Sequence, residues 1–250
     1  SALRTASNID DEKWYIQQGY TTAEFNFDRE PRYYADIAFD GGYTINGISN
    51  SMTPSNLGKI LRGYNVSRFT GFSCKKLSKY SLVCSSSTSY SLPNYIYPTF
   101  RLADLYLLYA EAINEAEGPF GEHSGDMFKY LDLIRSRAGI PGVKESWDSY
   151  SDSPGKYSTQ MGMREIIHRE RQIELAFEGE RFWDLRRWKE AQLEMSKGIT
   201  GWNVGKAGAR ELYYKPTLIF ETSFSQKDYF WPFSTAILEN NSNLVQNIGW

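Results

Sequence analysis

From Arg101 onward the apolar residues fall into step with an α-helix: Leu102, Leu105, Tyr106, Tyr109, Ala112, Ile113 and Ala116 recur every three or four positions, and Gly118-Pro119 closes the run. A stripe of that kind has to be buried against another element. Met127, Tyr130, Leu131, Ile134 and Ala138 form a second stripe, which predicts a helix over residues 125–138 stopped by Gly139 and Pro141. The short loop between the two predicts a helical hairpin. A third helix is predicted from about residue 158 through Met163, Ile166, Ile167, Ile173, Ala176 and Phe177. A fourth follows through Phe182, Leu185 and Trp188, with Gly179 as the bend between them. Two helical pairs in succession are compatible with stacked helix-turn-helix units.

Residues 1–100 read differently. They are rich in Tyr, Ser, Gly and Asn, with short β-prone pieces at 33–39 and 79–83 set apart by turn signals such as Asp40-Gly41-Gly42. The expected organisation is therefore an irregular, short-stranded region over 1–100, the candidate ligand-facing part, on a helical scaffold over 101–250 with an extended carboxy-terminal tail. The whole is expected to form one structural domain. Residues 142–157 carry no helical stripe and read as a long surface loop or lid; 198–208 reads as Gly-rich and mobile, and 229–250 as an aromatic tail without a period.

Composition removes several classes of function. Lys and Arg number 28 against 30 for Asp and Glu, so the net charge of -2 supplies no field to draw a nucleic acid. Cys74 and Cys84 are the only cysteines, which excludes a disulfide framework or a four-cysteine metal site and leaves one local bridge or two buried free thiols. His123 and His168 are the only histidines, and no metal-ligand spacing accompanies them. No G-x-S-x-G occurs, and Gly201-Trp202-Asn203-Val204-Gly205-Lys206 is one residue short of a phosphate-binding loop and lacks its Ser or Thr. No cofactor is expected. No run approaches the ~20 apolar residues of a membrane span. The opening residues lack the apolar centre of a secretion signal, and a chain that starts without Met reads as an excised piece of something longer.

The densest charged cluster runs from Arg164 to Glu174 and on through Glu178, Glu180, Arg181, Asp184, Arg186 and Arg187. Glu170 falls inside the apolar stripe, so its carboxylate is expected to be buried and to require an Arg or a backbone donor. Glu170 and Glu174, one turn apart, permit a glycoside-hydrolase reading. The plainer reading takes Glu165 with Arg169, and Glu178 with Arg181, as helix-surface ion pairs worth roughly 0.3–0.5 kcal/mol each.

Aromatic residues make up 16% of the chain, 18 of them Tyr, in a sequence whose mean hydropathy is -0.52. Many rings must therefore lie near the surface. A flat ring can lie against the apolar face of a pyranose while polar neighbours meet its hydroxyls. Trp14, Tyr15, Tyr20 and Tyr43 are the candidate ligand-binding residues, with Tyr64, Trp147 and Tyr150 as further loop rings.

Three stretches together resemble the SusD/RagB family of outer-membrane nutrient-binding lipoproteins. One runs from Phe100-Arg101-Leu102-Ala103-Asp104 through Ala110-Glu111-Ala112 to Asn114-Glu115. Another is His168-Arg169-Glu170-Arg171 through Glu174-Leu175-Ala176-Phe177-Glu178-Gly179-Glu180-Arg181-Phe182-Trp183-Asp184-Leu185-Arg186-Arg187-Trp188. The last is Trp231-Pro232-Phe233 with Asn240-Asn241, Leu244, Gln246-Asn247 and Gly249-Trp250. Phe27-Asp28-Arg29-Glu30-Pro31-Arg32-Tyr33-Tyr34 is similar to an upstream motif of the same family, although Glu30 stands where Asp usually precedes Pro-Arg. Ser234 and Ile248 replace prolines of the closing motif. The resemblance covers residues 25–250 and implies the carboxy-terminal half of a longer protein with a mainly α, tetratricopeptide-like fold. It further implies a cell-surface glycan-binding protein without enzymatic activity, anchored in the outer membrane through an amino-terminal segment. Such a protein captures oligosaccharide or polysaccharide for a SusC-like TonB-dependent transporter. In this light the matched motifs build scaffold, which leaves a scaffold that only docks the transporter, or a hydrolase using Glu170 and Glu174, as alternatives.

Overall fold

The computed structural model describes residues 2–7, 15–44, 58–59, 62, 69–77, 83–84, 90–91, 94 and 96–250. Its helices are α1 (Pro31–Asp36), α2 (Leu102–Glu117), α3 (Ser124–Arg137), α4 (Val143–Tyr150), α5 (Gln160–Glu174), α6 (Glu180–Arg187), α7 (Ala191–Glu194), α8 (Arg210–Tyr213) and α9 (Thr235–Asn240). The stripes predicted for α3 and α5 lie largely on buried faces. The one predicted for α2 needs correction: Leu102, Leu105, Tyr109, Ala112 and Ala116 are exposed, and the helix turns Leu107 and Ala110, together with Ile113, to the core. Leu107, Ala110 and Ile113 of α2 meet Met127, Leu131 and Ile134 of α3 and Met163, Ile166 and Ile167 of α5 in one core. Each Leu, Ile or Met among them contributes about 1.5–3 kcal/mol by leaving water. Gly118 (φ 74°) and Gly139 (φ 75°) follow the ends of α2 and α3 at positive φ, which glycine adopts without strain and which breaks the helix.

At the start of α5 the Thr159 hydroxyl accepts from the Gly162 backbone N–H at 3.0 Å. A Cβ on Gly162 would lie 2.0 Å from the Lys156 carbonyl oxygen in the preceding 3-10 turn (Lys156–Ser158). Gly162→Ala is therefore expected to cost about 1–3 kcal/mol, as overpacking does, although alanine is the better helix former. Unchanged stability in urea unfolding would contradict that contact.

Three further expectations need correction. Residues 142–157 are not one long loop: α4 fills half of them, with Val143 fully buried and Trp147 packed on the same core. Val143, Trp147 and Tyr150 lie at i, i+4 and i+7, a stripe too short to stand out from its polar neighbours. Residues 33–39 are helical before they are extended, because Pro31 at the first helical position presets φ and starts α1. The Gly-rich 198–208 segment contains a paired strand, held by a buried Trp202.

The strands are short and antiparallel: β1 (Leu3–Thr5) pairs with β2 (Thr21–Ala23), β3 (Ile37–Phe39) with β6 (Phe72–Cys74), and β4 (Tyr43–Thr44) with β5 (Gly58–Lys59). Likewise β7 (Val83–Cys84) pairs with β8 (Tyr90–Ser91), and β9 (Ile199–Trp202) with β10 (Pro216–Phe220). Of the 79–83 segment only Val83 is described, and it opens β7. Cys74 is free and exposed on β6 rather than buried. Ala23 packs with Trp202, Tyr213 and Tyr214, and the Thr22 and Tyr214 hydroxyls are 3.0 Å apart, which ties the amino-terminal strands to the segment that follows the helical core. The fold is mainly helical with a few short strands, as the sequence predicts.

Candidate functional site

The two α5 carboxylates serve as anchors. Glu170 is 3% exposed; its Oε1 accepts from Arg32 Nη1 at 2.7 Å and its Oε2 from Arg135 Nη1 at 2.8 Å. Glu174, 2% exposed, is met by Arg32 at 3.1 Å, Arg101 at 3.0 Å and Arg137 at 2.5 Å. Burial alone would push the Glu174 carboxyl up, but Arg137, Arg101 and Arg32 outweigh it and hold it below the usual carboxylate range. A glycosidase acid needs the opposite shift. Arg32 comes from α1, Arg101 from the residue before α2, and Arg135 and Arg137 from α3, so two side chains of α5 fasten three other helices. Glu30 precedes α1 without capping it and instead holds Arg32 at 2.9 and 3.0 Å.

The expected surface pairs are replaced by others. Glu165 pairs with Lys156 at 2.6 Å, while Glu178 pairs with Lys76 at 2.6 Å and Arg101 at 2.7 Å. Phe177 adopts φ 67° after α5, so Glu178 and Arg181 no longer share a helix face.

Charged residues of the second and first motifs meet in the interior. Arg171, 2% exposed, grips Asp184 through Nε at 2.9 Å and Nη2 at 3.0 Å, and reaches Asp104 of α2 through Nη1 at 2.8 Å. Glu111 accepts from Arg187 Nη2 at 2.6 Å and from Trp188 Nε1 at 2.7 Å. His168 stacks on Trp188 with ring centroids 3.4 Å apart. Burial holds its imidazole down at about 4, against 6.5 ordinarily, despite the pull of Glu111. His168 thus takes up a proton mainly on unfolding. Its stabilising share is full above the unfolded value of 6.5 and is lost as pH falls toward 4. With solvent screening discounted, the loss is expected to be about 2 kcal/mol. His168→Gln should escape it, and urea unfolding of both proteins across that window would refute the assignment if their stabilities fell in parallel.

Among the described residues no group of three or more His, Cys, Asp or Glu side chains is placed to hold a metal ion.

Of the four rings singled out in the sequence, Trp14 lies outside the described residues, as does Tyr64. Tyr15, Tyr20 and Tyr43 come together around Asp40-Gly41-Gly42, but only Tyr15 offers a largely free ring. It is 41% exposed and stacks on Tyr34 at 4.5 Å and 3°, which leaves its opposite face outward. Tyr20 is half-buried and donates to Asp40 Oδ1 at 2.7 Å; burial and that carboxylate push its phenol up to about 12. Tyr43 is buried at 7% exposure. On α4, Trp147 is partly buried and Tyr150 is 75% exposed.

A cleft that no pattern in the sequence marks lies between α1 and α5. A cavity of about 370 Å³ is lined by Phe25, Arg29 and Tyr33 on one side and by Arg169, Gln172 and Phe177 on the other. Phe25 and Phe177 are 48% and 49% exposed. Arg29 lies over the Phe25 ring at 4.0 Å and the Tyr33 ring at 5.3 Å. A second cavity of about 340 Å³, reaching Trp147 and Tyr150, shares Glu30, Arg169 and Ile173 with the first. Sharing those walls, the two cavities lie side by side along α5 as a two-part groove. Ring contacts also run from Tyr15 through Tyr34 and Tyr33 to Phe25. Phe25 and Arg29 stood beside the Pro-Arg motif in the sequence, but nothing there showed that α1 would lay them against α5.

Comparison with known proteins agrees with this architecture. The model of the SusD family matches residues 4–250. SusD-like protein P25 of Formosa agariphila is 40% identical over 89 residues, 36% of this chain and 14% of that protein. SusD-like protein P2 of the same organism is 29% identical over 172 residues, 69% of this chain and 29% of that protein. A solved SusD-like protein from Bacteroides fragilis superposes with a TM-score of 0.66 at 26% identity, over 89% of this chain and 39% of that one. The chain thus spans well under half the length of these relatives.

Proposed function

The chain belongs to the SusD family, and from that premise we propose that it is a glycan-binding protein without chemistry or cofactor of its own. It captures oligosaccharide or polysaccharide at the cell surface and passes it to a SusC-like TonB-dependent transporter. The observation that carries this reading is the groove along α5, where the exposed faces of Phe25, Phe177 and Tyr150 stand beside polar side chains. Half-exposed rings beside polar donors suit a pyranose, whose faces are apolar and whose rim is hydroxylated. Tyr15 remains a candidate contact on the same chain of rings, and Trp14 with it; Tyr20 and Tyr43 fit better as supports of the loop they fill. In this reading residues 1–100 supply much of the ligand-facing surface and residues 101–250 the scaffold. Among the described residues no helix is long and apolar enough to cross a membrane. The proposal places the protein at the outer membrane as a lipoprotein.

Calorimetry with a panel of oligosaccharides tests the reading. At least one should bind, and Phe25→Ala should weaken that binding about tenfold or more, as loss of a central aromatic anchor does. Absence of heat across the panel would favour the scaffold that only docks the transporter. Release of reducing ends, abolished in Glu170→Gln, would return the protein to the hydrolases.

A further inference from the structure

We propose that the α1–α5 cleft selects an acidic sugar, a residue carrying a uronate or a sulfate, through Arg29 and Arg169; the inference rests on the glycan-binding reading and adds the charge of the ligand. Both guanidiniums line the cleft and are exposed. Among the described residues neither has a carboxylate within 4.0 Å: Arg29 lies on the Phe25 and Tyr33 rings, and Arg169 donates to the amide oxygen of Gln172 at 3.1 Å.

The acidic residues of the cleft are already matched by other cations. Glu30 holds Arg32 at 2.9 Å, Asp36 faces Lys76 at 3.6 Å, and Asp28 meets Arg4 at 3.0 Å. The charge left to a ligand is therefore positive, on a chain whose net charge is -2. A planar fork of donors matches a carboxylate or sulfate better than a neutral hydroxyl does. Arg29 is also held by its rings before any ligand arrives, so little side-chain freedom remains to be lost on binding. Asp28 (φ 54°) and Phe177 (φ 67°), two of the positive-φ residues other than glycine, both line this cleft. Strain of that kind gathers at ligand sites.

Titration with oligogalacturonates, their carboxyl-reduced galactose counterparts, sulfated carrageenan fragments and poly-glutamate tests the inference. One of the two acidic glycans should bind, and Arg29→Gln and Arg169→Gln should each weaken it about tenfold or more, as loss of a charged hydrogen bond does. Thermal unfolding of both variants should match the parent, since both side chains are exposed. Binding of the neutral counterparts with equal strength, unaffected by either variant, would overturn the charge assignment and leave the glycan reading standing. Binding of no glycan would overturn both. Binding of poly-glutamate alone would make the cleft a protein-docking site instead.

Discussion

Arg171→Met is expected to remove about 3–5 kcal/mol of unfolding free energy, the range for one partner taken from a buried ion pair. The top of that range matches the whole stability of a marginal domain, about 5 kcal/mol. Arg171 is among the largest fully buried side chains and bonds both Asp184 and Asp104. Without it Asp184 keeps Arg187 at 2.8 Å, but the Asp104 carboxylate loses the guanidinium it faces. The cost comes from a stranded Asp104 and an Asp184 left with one of its two guanidiniums, rather than from lost packing, since Met fills much of the volume. Arg171→Met combined with Asp104→Asn and Asp184→Asn should therefore recover part of the loss. Urea unfolding in which the triple variant is no more stable than the single one would show that packing dominates.

Arg32→Met should cost about 3 kcal/mol, at the lower edge of the same range. Arg32 is 9% exposed and holds Glu170, Glu174 and Glu30. Its removal leaves Glu170 with Arg135, and Glu174 with Arg101 and Arg137, so neither carboxylate is stranded. Arg169→Ala, one residue before Glu170 on the exposed side of α5, should cost under about 1 kcal/mol. Equal small losses at Arg32 and Arg169 would mean that Glu170 is solvated.

Where the sequence was legible, a strong period made it so. The stripes of α3 and α5 repeat over about three turns, and Glu170 sits inside one of them, which made its burial and its need for a cation readable. The period of α2 gave the helix but not its buried face, because apolar residues stand on both sides of it. Its partner was not: Arg32 lies 138 residues away, and no local pattern links an Arg in one motif to a Glu in another. α4 escaped notice because eight residues offer too few apolar positions to establish a period. The candidate site was the least legible part. Composition pointed to rings, but ring exposure is set by tertiary placement. Tyr43 is buried by its neighbours, whereas Phe177, inside a motif read as scaffold, is turned outward where the chain leaves α5 with a positive φ.

In the proposed function the charged helical spine is architecture, and recognition belongs to the ring-lined groove beside it. Amide hydrogen exchange, with and without a saturating oligosaccharide identified by calorimetry, tests it directly. Exchange should slow at residues 25–37 and 172–177, extending to 147–150 for longer glycans. Protection confined to α6 and the carboxy-terminal tail, with 25–37 and 172–177 unchanged, would contradict it.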